Sequence, residues 1–199
     1  ISAKHPILTL FKDRGINLYK RADLLQFISK DYRVIAIAGT HGKTTISIML
    51  SHILKCSGVN CNAFFGGVST NYHTNFMIGD SDIMVVEADE YDKSFLKLNP
   101  HISLISSLDK DHGDIYEDYD DMISAYKTFI FSTNSCVIGN RKLKHKFDTT
   151  YAIEPGSDFY AYDISCKKNS LIFKIRFPNN SSIKTYLKFG SHYNVENAI

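Results

Sequence analysis

Tryptophan is absent from this 199-residue chain, proline occurs four times, and neither sign of charge dominates. A net charge of +2 is too mild to draw the chain to nucleic acid. Lysine and arginine are scattered except in the short cluster Arg141–Lys146, which reads as a solvated surface loop. No apolar run reaches the roughly 20 residues that a helix needs to cross a bilayer, so no membrane partner is expected. No signal-peptide pattern opens the chain. The four cysteines, Cys56, Cys61, Cys136 and Cys166, lack any paired C-x-x-C spacing. Buried, reduced thiols are expected in place of a zinc site or disulfides, and with them a cytoplasmic protein. What remains, 44% hydrophobic and 22% charged residues, is the composition of a globular chain with room for one domain, or one domain and a fragment of another. The chain begins without methionine and stops in Asn-Val-Glu-Asn-Ala-Ile, which reads as the first turn of a helix, so a longer parent polypeptide is expected.

One further absence is local. The apolar run Val34–Ala38 feeds Gly39-Thr40-His41-Gly42-Lys43-Thr44-Thr45, and the apolar stretch Ile46–Leu50 follows. This is the pattern of a phosphate-binding loop between a buried strand and a helix, but the usual spacing puts another glycine five residues before the Gly of Gly-Lys-Thr. Ile37 occupies that position. The required chemistry survives a loop shortened by two residues. Gly39 allows the tight turn, and Gly42 lets the backbone approach a phosphate without a Cβ. Lys43 would neutralise the β- and γ-phosphates, and Thr44 would reach Mg²⁺ or a phosphate oxygen. A Gly-rich turn without ligand would explain the glycines but not Lys-Thr-Thr at the head of an otherwise apolar helix.

The surrounding pattern is strand–helix–strand. Strand 34–38 precedes a helix from Lys43 to about Cys56, and strand Val59–Phe64 ends in Gly66-Gly67. A polar loop, Ser69–Asp80, leads to strand Asp82–Val86. A helical turn at Lys93–Leu98, strand Ile102–Ser106, helix Asp120–Phe131 and strand Cys136–Ile138 follow. This alternation predicts an α/β fold with a mostly parallel sheet flanked by helices. Past residue 149, Asp158–Ile164, Ser170–Phe177 and Ser182–Phe189 are separated by turn signals and predict a small antiparallel β subregion near the C-terminus. Residues 1–31 contain a helix (Pro6–Lys12), a short strand (Ile16–Tyr19) and a second helix (Ala22–Lys30). They are too poor in apolar surface to fold alone and read as the tail of a preceding domain, with 32–199 as the nucleotide-binding domain.

The stretch Gly39–Thr45 resembles the ATP loop of the Mur ligases, whose loop reads Gly-Thr-x-Gly-Lys-Thr-Thr/Ser, and His41 resembles the branch that adds L-alanine to UDP-N-acetylmuramate. Val85–Pro100 resembles the Glu-Ala-Asp-Glu motif of that branch, Leu108–Tyr116 its Asp-His-x-Asp motif, and Gly190–Ala198 its Asn-x-x-Asn-Ala segment. All four occur in the family's order. The resemblance implies a P-loop NTPase-like central domain and an ATP- and Mg²⁺-dependent amide-forming ligase of peptidoglycan precursor synthesis, with UDP-N-acetylmuramate and L-alanine as substrates. It implies catalytic roles for Lys43, Glu87 and His112, and a metal set of Thr44, Glu87 and His112. ATP contacts would come from Gly39, Thr40, His41, Gly42, Lys43, Thr44, Thr45, Asn194 and Asn197, and substrate contacts from Asn75, Asp89 and Glu90. Tyr193 separates His192 from Asn194 where the branch has His-Asn adjacent, and Gly113 replaces a larger apolar residue.

Elementary chemistry agrees with part of this set. Glu87 lies past the carboxyl end of an apolar strand, where open α/β sheets bind ligands. Asp111 and His112 follow the next strand, and a carboxylate, an imidazole and a hydroxyl make a reasonable Mg²⁺ set. Other readings stand beside these. Asp89, Glu90 and Asp92 could form a solvated acidic loop, His112 could be a surface histidine, and the Asn-rich loop around Asn75 could be an ordinary turn. Lys127, fifteen residues past His112, stands near where several family members carry a carbamylated lysine, but reads better as a solvent-facing helix residue. Two other functions compete with L-alanine addition: a recycling ligase of the same family that attaches a tripeptide, and a P-loop switch or motor ATPase. The resemblance implies that the amino acid is chosen largely by a C-terminal domain, so the two ligases are poorly separated. The 199 residues alone are expected to bind without turning over, because flanking domains would complete both substrate sites.

Overall fold

The computed structural model describes residues 5–109, 119–188 and 190–199. One sheet organises them. Its ten strands are β1 (Arg33–Ala38), β2 (Asn62–Ser69), β3 (Thr74–Met77), β4 (Ile83–Glu87), β5 (Ile102–Ile105), β6 (Cys136–Asn140), β7 (Thr149–Ala152), β8 (Phe159–Lys167), β9 (Ser170–Arg176) and β10 (Ser182–Leu187), in the order β10-β9-β8-β7-β6-β5-β1-β4-β2-β3. From β2 through β8 every neighbouring pair is parallel. The edge strand β3 and the pair β9–β10 run antiparallel. The predicted α/β architecture is therefore present, and the antiparallel strands extend the main sheet.

β1 shows why a continuous apolar run becomes a central strand. Val34, Ala36 and Ala38 face one core, with Met84, Val86 and Phe95. Ile37 faces the other, with Val85, Phe65 and Ile46. Both faces are covered, so neither tolerates a polar residue. The first core is closed by α4 (Tyr119–Phe131) and a 3₁₀ turn (Tyr91–Lys97), the second by α3 (Lys43–Cys56). On α3 the buried residues nearest the sheet include Ser47 and Ser51, whose hydroxyls donate to the carbonyls of Lys43 and Ser47 at 2.8 Å each. Small, self-satisfied side chains let the helix sit close to the strands. In the first core, Phe129 is fully buried with its ring 5.0 Å from that of Phe95. Phe129→Ala is expected to cost about 3–5 kcal/mol in urea unfolding of the full-length protein.

Several expected elements differ. Residues 16–19 form no strand, because no sheet edge lies beside them, and Ile16, Leu18 and Tyr19 remain exposed. The polar stretch 69–80 contains β3, paired with β2 across an irregularity between Phe64 and Ser69 that takes in Gly66 and Gly67. β7 is only four residues, Thr-Thr-Tyr-Ala, too short and polar to announce itself. The cysteines are free, but only Cys61 is buried, where burial pushes its thiol up; Cys56 and Cys166 are exposed and Cys136 is half-buried. No helix among the described residues is long and apolar enough to cross a membrane. Of the N-terminal segment, α1 (Pro6–Asp13) buries no residue. α2 (Arg21–Ser29) docks on the 3₁₀ turn, with Leu25 against the first core and an Asp23–Lys97 ion pair.

Candidate active site

Three strand ends converge. β1 lies between β4 and β5, so the chain passes from one side of β1 to the other, and the crevice at the carboxyl ends is where such sheets bind ligands. The loop Gly39–Gly42 leaves β1, Glu87 ends β4, and Ser106 and Ser107 follow β5.

The loop is held from the β5 side. The Ser106 hydroxyl donates to the carbonyls of Ala38 at 3.2 Å and His41 at 2.5 Å. The Ser107 hydroxyl accepts from the His41 N–H at 2.9 Å and shares a hydrogen bond with the Thr40 hydroxyl at 2.9 Å. Gly39 turns at φ +127°, and a Cβ there would lie 2.2 Å from Ser106 Oγ and 2.8 Å from the Ser107 backbone nitrogen. Gly42, at φ +84°, starts α3 with no side-chain cap, and no acidic residue occupies the first turn. The first N–H groups of the helix thus stay available to an anion, which the helix dipole favours.

The functional side chains are set from the β4 side. Lys43 Nζ donates to the Gly39 carbonyl at 2.6 Å and to Glu90 Oε1 at 2.7 Å. Both partners of this ion pair are deeply covered, with 13% and 3% of their side chains exposed, so the ammonium is fixed in direction. Thr44 Oγ1 donates to Glu87 Oε1 at 2.8 Å, and Glu87 Oε2 accepts from the Gly66 N–H at 2.6 Å. A Cβ at Gly66 would sit 2.6 Å from Glu87 Oε1, so that glycine makes room for the carboxylate. A hydroxyl and a half-buried carboxylate side by side are hard oxygen donors that suit Mg²⁺. Among the described residues no group of three or more His, Cys, Asp or Glu could hold a metal ion.

Beside the loop opens a cleft of about 1090 Å³, walled by His41, Gly42, Ser107, Asn140, Tyr151 and Asn197 among others. Tyr151 is buried, and burial first, then the Glu196 carboxylate, push its phenol well above its usual range, opposed by a hydrogen bond with Asn140. Tyr151 therefore stays protonated at neutral pH. Glu196 is itself paired with Lys142 at 3.1 Å.

The fold has known counterparts. The Mur ligase middle domain matches residues 37–199. The chain belongs to the Mur ligase family. A relative named UDP-N-acetylmuramate–L-alanine ligase, from Porphyromonas gingivalis, is 40% identical over 210 residues, covering 100% of this chain and 46% of the relative. Two solved structures share the fold. The UDP-N-acetylmuramate–alanine ligase of Thermotoga maritima aligns with a TM-score of 0.85 at 21% identity, over 99% of this chain and 47% of that one. A UDP-N-acetylmuramate:L-alanyl-γ-D-glutamyl-meso-diaminopimelate ligase from Neisseria aligns at 0.86 and 18% identity, over 99% and 68%. This Mur ligase chain spans just under half the length of the curated relative.

Within this Mur ligase domain the structure brings some of the expected residues together and leaves others apart. Gly39, Thr40, Gly42, Lys43, Thr44, Glu87 and Glu90 form the connected cluster just described. Thr45 shares the first turn of α3, and His41 is exposed with Nε2 3.6 Å from Asp109 Oδ2. Asn197 faces the loop, since a Cβ at Gly42 would lie 2.7 Å from its Oδ1. Asn194 Oδ1 accepts from the Ser191 N–H at 2.8 Å and caps α5 (His192–Asn197). Asp89 is exposed and accepts the Tyr91 N–H at 3.0 Å. Asn75 is exposed on the edge strand β3, away from the hydrogen bonds that knit the loop. His112, with Asp111, lies outside the described residues. Lys127 is exposed on α4 at the cleft wall. Sequence reasoning missed Ser106 and Ser107; the signal was two hydroxyls directly after an apolar strand. It also missed Asn140 and Tyr151, at the ends of β6 and β7.

Proposed function

We propose that this domain is the ATP-binding part of a ligase that joins L-alanine to the carboxylate of UDP-N-acetylmuramate, in peptidoglycan precursor synthesis. The observation that carries the reading is the Lys43–Glu90 and Thr44–Glu87 pairing around an uncapped helix start, in a domain whose relatives bear that ligase name. Residues 1–31 would belong to the tail of a preceding UDP-sugar domain and 32–199 to the central domain, so the isolated chain would bind nucleotide without turnover.

In this reaction a carboxylate oxygen of the sugar acid attacks the γ-phosphorus of ATP and ADP leaves. The amine of L-alanine then attacks the acyl carbon, phosphate leaves, and the nitrogen loses its proton. The protein's task is positioning and charge neutralisation. The N–H groups at the start of α3, with Gly39–Thr45, cradle the phosphates. Lys43, aimed by Glu90 and the Gly39 carbonyl, neutralises the transferred group, so Glu90 acts through Lys43. Thr44 and Glu87, with His112 as the third ligand, would hold Mg²⁺, which would withdraw charge from the phosphate oxygens. Asn197 and the Tyr151 wall border the nucleotide, with Asn194 supporting α5. Asp89 and Asn75 would meet the acceptor.

The test is phosphate release by the full-length protein with ATP, Mg²⁺ and UDP-N-acetylmuramate. Turnover with L-alanine is expected. Turnover only with the L-Ala-γ-D-Glu-diaminopimelate tripeptide would move the protein to the recycling ligases, and release with neither acceptor would overturn the reading.

A further inference from the structure

A smaller cavity, about 200 Å³, is lined by Glu87 and lies between the start of α2 and the 3₁₀ turn. Its walls bring together residues far apart in sequence: Lys20 just before α2 and Arg21 at its start, Glu87 and Asp89 at the end of β4, and Tyr91 and Phe95 from the turn. Arg21 is held there by the docking of its helix. Leu25, one turn further along α2, packs on the first core, and the Asp23–Lys97 ion pair ties the helix to the turn. Among the described residues, the Arg21 guanidinium has neither an ion-pair partner nor a hydrogen bond.

The charge balance of the cavity defines its occupant. Glu87, Asp89 and Glu90 crowd three carboxylates around the end of β4, and Lys43 is committed to Glu90. An anionic acceptor arriving beside Glu87 would be repelled by Glu87 and Asp89 unless cations stood on its far side. Arg21 supplies one. A guanidinium offers two parallel N–H donors matched to a carboxylate, and a site next to the metal-ligand candidate Glu87 is where an attacking carboxylate has to lie.

We propose that Arg21 binds the reacting carboxylate of the acceptor in the cavity between α2 and Glu87, so that a residue preceding the matched family domain completes the acceptor site. This rests on the ligase reading above. It goes beyond it in assigning a substrate contact to a segment that the sequence ascribes to another domain.

The experiment compares full-length wild-type protein with Arg21→Ala and Arg21→Lys, measuring kcat and KM separately for UDP-N-acetylmuramate and for ATP. Arg21→Ala is expected to raise KM for the sugar acid about tenfold or more, with KM for ATP unchanged. Arg21→Lys, which keeps the charge but not the fork, should recover part of that loss. A sugar-acid KM within twofold of wild type in Arg21→Ala overturns the assignment, as does an equal rise in both KM values, which would mark a structural effect. Wild-type protein that turns over nothing with UDP-N-acetylmuramate would instead sink the ligase reading, and this assignment with it.

Discussion

Lys43→Ala in the full-length protein is expected to lower phosphate release about a thousandfold, the scale on which enzymes lose rate when one preorganised charge is removed from a transferring group. The ammonium is the cation aimed along the loop, fixed by Glu90 at 2.7 Å and the Gly39 carbonyl at 2.6 Å. The same substitution reaches stability. Glu90 is almost wholly covered, and breaking a buried ion pair from one side costs about 3–5 kcal/mol. Glu90→Gln keeps an acceptor for Lys43 without the charge and should be the milder change in stability. Its activity should fall because Lys43 is aimed less firmly. Lys43→Arg keeps the charge but adds a planar fork to a covered slot, and should also turn over poorly. Steady-state phosphate release and urea unfolding of the four proteins separate the two effects. Activity of Lys43→Ala within tenfold of wild type would contradict the role given to the loop.

Gly39→Ala should be the most damaging single methyl group. Its φ of +127° is strained for any L side chain, and the new Cβ would meet backbone atoms of Ser107 at 2.8 and 2.9 Å as well as Ser106 Oγ at 2.2 Å. A serine side chain can rotate away, but the backbone after β5 cannot without breaking the Thr40 N–H to Ser107 carbonyl bond of 3.0 Å. Backbone strain and overpacking together put the loss at about 4 kcal/mol, with ATP affinity falling by more than a hundredfold as the loop is displaced. Gly15→Ala is the control. It also has a positive φ, +67°, but nothing lies within 4 Å of the added Cβ, so it should lose only about 1 kcal/mol. Urea unfolding and nucleotide titration read both; a Gly39→Ala protein as stable as Gly15→Ala would mean that the β5 side does not clamp the loop.

The centre of the sheet was legible because its signals are local. An apolar run, a Gly-Lys-Thr turn and an otherwise apolar helix headed by Lys-Thr-Thr read as β1, the loop and α3 within a residue or two. Glu87 was legible for the same reason, as the first charge after an apolar strand. Contacts made across the sequence were not legible. Ser106 and Ser107 reach the loop only because β5 lies against β1, a neighbour relation that no periodicity encodes. Arg21 shares a cavity with Glu87 only because α2 folds back onto the 3₁₀ turn, although Ala22–Lys30 reads as a helix from the sequence alone. Nor was the cap that Asn194 makes legible: its Oδ1 accepts from the Ser191 N–H at the start of a six-residue helix. β7 failed for want of length, and β3 because an edge strand exposed on one side tolerates the polar residues that mark a loop.

The central claim is that the γ-phosphoryl group passes to the acceptor's carboxylate before the amide forms, and oxygen labelling tests it most directly. UDP-N-acetylmuramate carrying ¹⁸O in its carboxylate would be turned over by the full-length protein with ATP and L-alanine, and the released phosphate analysed by mass. If the carboxylate attacks the γ-phosphorus and the amine later displaces phosphate from the acyl carbon, one labelled oxygen leaves with each phosphate. Phosphate released without label would mean that ATP is hydrolysed apart from the acceptor, and the account of this site as a ligase would be wrong.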